Sequence, residues 1–150
     1  MGSYRTHTIG GMLSFAGCIA ALAFLSSTEI SIEKGLALFA ITLMAALFPD
    51  IDTDSKGQNL FYSIFLLLDV YFILGKNYRY AAILGLLVMI PVVSRHRGWT
   101  HTLWAMVLIP APILFLPWLL LGAELSKLVI YYVCAVAGYF SHLVIDGKYT

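Results

Sequence analysis

TLWAMVLIPAPILFLPWLLLG, residues 102–122, runs for 21 residues without a charged side chain. As an α-helix it would reach about 32 Å, enough to cross a hydrocarbon core of roughly 30 Å. Backbone at that depth must satisfy its own hydrogen bonds, which leaves a helix or a closed barrel, and the stretch lacks a barrel's alternation of apolar and polar residues. Pro110, Pro112 and Pro117 predict a kink or a break within it.

Five more apolar segments flank this one, at 9–26, 35–49, 60–75, 80–94 and 128–145, separated by short polar breaks. The composition, 61% hydrophobic and 11% charged, leaves too little polar surface to coat a water-soluble globule. The reading is an all-α polytopic membrane bundle of about six transmembrane helices, forming one domain over residues 1–150, with membrane lipids as its surroundings. Gly10, Gly11, Gly17 and Gly138 suit close helix contacts, and Pro91 adds a possible kink in the fourth segment. The segments at 35–49 and 80–94 would reach only about 22 Å, so either the bilayer thins or these helices end below its surface. Arg5 ahead of an apolar run raises the question of a signal peptide, but without a small-x-small cleavage site the run is expected to stay attached.

A net charge of +1, with nine scattered Lys and Arg, offers no field for direct nucleic-acid binding. Cys18 and Cys134, far apart and without metal-ligand spacing, read as small core residues.

If all six segments cross, the N-terminus, the loops near 50–59 and 95–101 and the C-terminus share one face. That face gathers His7, Asp50, Asp52, Asp54, His96, His101, His142 and Asp146, including all four histidines. The opposite face holds Glu29, Glu33, Lys34, Lys76, Arg79, Glu124 and Lys127. Five Lys and Arg fall on the histidine face and four on the other, which tilts the histidine face and both termini slightly toward the cytoplasm. Ionisable groups at membrane level are expensive, so this gathering asks for a functional explanation.

Three motifs carry the chemistry. In Phe48-Pro49-Asp50-Ile51-Asp52-Thr53-Asp54-Ser55, Asp50 and Asp52 converge on one cation only if Pro49 takes the chain out of helical geometry; otherwise an Asp-rich turn ends one helix and caps the next. In His96-Arg97-Gly98-Trp99-Thr100-His101, the spacing of five brings the two imidazoles together only through a turn, which Gly98 permits. Arg97 suits a phosphate or carboxylate, or a lipid headgroup, and Trp99 an interface anchor. In Gly138-Tyr139-Phe140-Ser141-His142-Leu143-Val144-Ile145-Asp146, His142 and Asp146 share a helical face, where both can bind one metal or the carboxylate can orient the imidazole. His7 gains meaning only in this company. Asp69, inside the third segment, reads as structural, pairing with Lys76, Arg79 or a neighbouring helix. Imidazole and carboxylate without thiolate form the ligand set of zinc, manganese or iron hydrolase sites.

Together, Thr6-His7, Pro49-Asp50-Ile51-Asp52, the 96–101 motif and the 138–146 motif resemble, in order and spacing, the YdjM-type inner-membrane metal-dependent hydrolases across nearly the whole chain. The resemblance implies a bacterial or archaeal membrane protein with a metal-dependent hydrolase site whose motif positions are His7, Asp50, Asp52, His96, His101, His142 and Asp146. Some relatives continue beyond the equivalent of Gly147-Lys148-Tyr149-Thr150.

The expectation is one or two divalent ions, zinc first, with manganese, iron or magnesium as alternatives, held by His7, Asp50, Asp52, His101, His142 and Asp146. His96, Arg97 and His101 are the expected catalytic residues, acting through activated water on an ester or phosphoester that is lipid-like, such as a phospholipid or lipid-linked phosphoester. Two other readings compete: a metal or proton transport protein, which would place ligands deeper in the helices, and a non-catalytic metal-binding regulator.

Overall fold

The computed structural model describes residues 3–25, 30–52, 56–93 and 99–147, and the side chains of all of these except 52, 56, 57 and 90–93. Every regular element among them is helical. In chain order the helices are α1 (Tyr4–Leu25), α2 (Ile32–Leu47), α3 (Lys56–Leu74), α4 (Tyr78–Val93), α5 (Leu103–Leu108), α6 (Ala111–Leu121) and α7 (Leu125–Asp146), with 3-10 turns at Phe48–Asp52 and Trp99–His101. Contacts divide the chain into one unit of residues 1–49 and 98–150 and a second of residues 50–97.

Among the described residues, four stretches are long and apolar enough to cross a membrane: Tyr4–Leu25, Ile32–Ile51, Leu103–Leu121 and Leu125–Asp146. Gln58–Leu74 and Tyr78–Met89 are shorter apolar helices. The second stretch is longer than its apolar sequence suggests. Ser31 caps its start by accepting from the Lys34 N–H at 3.3 Å, which draws Glu33 and Lys34 into the first turn, and the 3-10 turn carries the chain onward past Leu47. The expected break in the fifth segment falls at Pro110, between α5 and α6, whereas Pro117 lies inside α6 without ending it.

In the first unit, α7 packs against α1, α2 and α6, and α1 against α2. Leu38, Thr42 and Ala46 form a buried stripe along α2 with a spacing of four, facing Cys134, Gly138 and His142 on α7. Lipid gives no hydrophobic drive for helices to associate, so close backbone approach and interhelical contact must supply the cohesion. Gly138 provides it: a Cβ there would overlap the carbonyl oxygen of Thr42. At Gly10 and Gly11 an added Cβ would crowd Ile145 and Ala46, whereas at Gly17 it would meet nothing within 4 Å, so the first two glycines serve helix contacts and the third does not. Leu13, Phe24, Trp104 and Leu119 point outward as a surface suited to acyl chains.

The second unit is an α3–α4 hairpin. Its turn closes with Asn77 N–H donating to Phe72 O and Lys76 N–H to Ile73 O, with Lys76 in the left-handed region at φ 59°, and Phe72 and Tyr80 rings meet across it at 5.8 Å. Asp69 forms no ion pair with Lys76 or Arg79 there, and its buried Oδ1 has no hydrogen-bond partner among the described residues.

Candidate metal centre

Helix α7 ends at Asp146, where Gly147 adopts φ 64° and stops it, so the last turn presents His142 and Asp146 one above the other. His142 Nε2 lies 3.7 Å from Asp146 Oδ2. The first turn of α1 lies beside this last turn of α7 and brings His7 Nε2 to 3.4 Å from Asp146 Oδ1, with the His7 and His142 rings stacked at 3.7 Å. The 3-10 turn after residue 98 supplies His101, whose Nε2 is 3.5 Å from Asp146 Oδ2. Asp50, which follows Pro49 directly in the chain, completes a group with His101, His142 and Asp146 in which one ligand atom from each lies within 4.8 Å of all the others.

Supporting bonds fix which nitrogen of each ring faces the group. His142 Nδ1 is 2.8 Å from Ala46 O, and since a carbonyl only accepts, Nδ1 carries the proton and Nε2 the lone pair. Pro49 explains why this carbonyl receives the imidazole: in the 3-10 geometry that begins at Phe48, the in-chain donor to Ala46 O would come from residue 49, and proline has no N–H. His101 is set the same way. Thr100 Oγ1 gives its one proton to Pro49 O at 3.2 Å, so the same oxygen accepts from His101 Nδ1 at 3.2 Å. Tyr139 of α7 donates its hydroxyl to Thr100 O and pins the 3-10 turn to α7.

Two imidazole lone pairs therefore converge on a carboxylate, acceptor against acceptor, which a cation between them turns from repulsion into attraction. Tetrahedral ligands with bonds of about 2.0–2.2 Å stand about 3.3–3.6 Å apart. The 3.5 and 3.7 Å separations at Asp146 Oδ2 lie close to that spacing. The donor set is nitrogen and oxygen without sulfur, which suits zinc, manganese or iron. Residues and geometry fit a divalent cation.

Of the expected ligands, Asp50, His101, His142 and Asp146 come together. His7 joins them on the other oxygen of Asp146 and stands outside the group of four. The Asp52 side chain, His96 and Arg97 lie outside what is described. Thr100, Tyr139 and the Ala46 carbonyl, given no role by the sequence reading, are the supports. Thr100 and Tyr139 stood inside the quoted motifs, and Pro49, three residues after Ala46, was the signal for the free carbonyl.

No curated protein and no solved structure matches the chain. A family model described as YdjM inner membrane protein matches residues 1–149. With that match running almost end to end over a chain of apolar spans, the protein belongs to the YdjM inner membrane protein family.

Proposed function

We propose that this membrane protein is a metal-dependent hydrolase acting on an ester or phosphoester of a lipid-like molecule, with its site at the cytoplasmic edge of a bundle that crosses the membrane six times. The observation that carries the reading is the convergence of His101 and His142 Nε2 on Asp146, with Asp50 in the same group. His7 and Asp146 lie at the ends of α1 and α7, a position that suits a headgroup-level substrate better than an ion in transit. A divalent cation bound there supplies Lewis-acid activation of water and of the scissile bond. Asp50, His101, His142 and Asp146 hold it, Asp52 adds a further carboxylate, Arg97 meets the substrate's anionic group, and His96 moves a proton to or from the reacting oxygen.

One observation favours a second reading. Side-chain exposure at the site is 1% for His7, 8% for His101, 0% for His142 and 1% for Asp146, a degree of closure that suits a structural clamp tying the two ends of the chain together.

Purification in detergent followed by elemental analysis tests the common ground. Stoichiometric metal in the wild type and its loss in His142→Ala are expected. A protein that neither retains nor takes up metal overturns both readings. A screen of phospholipids and generic phosphoesters then divides them: hydrolysis lost in His142→Ala and Asp52→Ala supports the enzyme, and tightly held metal without turnover supports the clamp.

A further inference from the structure

Away from the metal centre, α1 and α7 bring together two groups that the sequence separates by more than a hundred residues. The helices run antiparallel, and their register can be followed residue by residue. His7 meets Asp146, a Cβ at Gly10 would stand 3.3 Å from Ser141 Oγ, and each step forward along α1 is matched by a step back along α7. Continuing at this register puts Cys18 level with Cys134. Eleven residues separate His7 from Cys18, and seven separate Cys134 from Ser141, both close to whole turns, so each thiol lies on its helix's contact face. The Cys18 thiol is a neighbour of the Cys134 thiol across the α1–α7 contact, with the Thr42 hydroxyl beside them. Both are free, Cys134 fully buried and Cys18 half-buried.

We propose that Cys18 and Cys134 form a redox dithiol that closes into a disulfide between α1 and α7, with a lipid-soluble quinone as the oxidant. The two S–H bonds break, one S–S bond forms, and two electrons and two protons pass to the quinone, which leaves as the hydroquinone. Cys18 lies about 16 Å along α1 from His7, at a depth that water-soluble thiols such as glutathione do not reach and membrane quinones do. The product is neutral. A soft metal ion held by the same pair would require buried thiolates, at a charge cost the disulfide avoids. Closure fixes the α1–α7 register that sets His7 against Asp146. This site and the metal centre stand on separate residues, and neither reading depends on the other.

The full chain in lipid nanodiscs, incubated with a short-chain ubiquinone, denatured and alkylated with a maleimide, tests the proposal. The expected result is loss of both alkylation sites, loss of two hydrogens in the intact mass, a crosslink between the peptides carrying Cys18 and Cys134, and reversal by dithiothreitol. Cys18→Ser and Cys134→Ser each retain one alkylatable thiol. Two alkylatable thiols after quinone treatment, or disulfides joining separate chains, overturn it.

Discussion

His142 Nδ1 stands 2.8 Å from the carbonyl oxygen of Ala46, on a helix ninety-six residues earlier in the chain. That bond decides which imidazole nitrogen faces Asp146, and it exists because Pro49 provides no competing N–H. Replacing Pro49 by Ala supplies the missing donor and lets the chain retain the Ala46 carbonyl for itself. Pro49→Ala is therefore expected to weaken metal binding by about 10–100-fold, the usual effect of disturbing a group that orients a ligand. Chelator competition on the purified protein measures it. Unchanged affinity would mean that the Ala46 bond does not set the His142 tautomer.

Thr100 plays the same part for His101 with one hydroxyl, giving its proton to Pro49 O and accepting from His101 Nδ1. Thr100→Val keeps the shape and removes both bonds. The expected outcome is again a loss of about 10–100-fold in metal affinity, with helix content by circular dichroism unchanged. Thr100→Ser restores the hydroxyl and is expected to recover most of it, an outcome that a purely steric role for Thr100 would not give.

The sequence carried the helical class, the apolar segments and most of the donor set, because hydrophobic run length and motif spacing are local signals. His142 and Asp146, four apart, are legible as a pair from their helical spacing alone. Asp50 and His101 required chain turns that Pro49 and Gly98 permit but do not specify. The start of α2 was misplaced by three residues because charge at Glu33 and Lys34 looked like a boundary, whereas Ser31 caps a helix that contains them. Cys18 and Cys134 looked unrelated since nothing local records the register between α1 and α7. Asp69 found neither proposed cation, because Lys76 and Arg79 remain exposed at the hairpin end.

Gly138 is where α2 and α7 come closest, and an added methyl would overlap the Thr42 carbonyl. Gly138→Ala is expected to destabilise the protein by about 1–3 kcal/mol through overpacking, and to draw Ala46 away from His142 by separating the helices. Thermal unfolding in detergent and metal affinity should fall together. Gly17→Ala is the control, since a Cβ there meets nothing within 4 Å, and it should leave both quantities near wild type. Equal losses at the two positions would show that the α2–α7 contact does not govern the response, since helix propensity alone favours alanine at both.

His7 and His142 approach opposite oxygens of Asp146, at 3.4 Å from Oδ1 and 3.7 Å from Oδ2, and this division predicts different consequences for their loss. His142 belongs to the group of four donors that lie mutually within 4.8 Å, together with Asp50 and His101. Removing it takes out one of those donors and leaves the Asp146 carboxylate buried with less to balance it, so His142→Ala should abolish stoichiometric metal binding. His7 meets the far oxygen of Asp146 and stacks on the His142 ring, but offers no donor atom to the group of four. His7→Ala should therefore keep the ion of the four-donor group, at reduced affinity, because Asp146 is less firmly oriented. Elemental analysis of the two variants, purified side by side with wild type, separates the roles. A partial fall in metal content for His7→Ala would reveal a second ion on the Oδ1 side, and a complete fall would place His7 among the donors of the first.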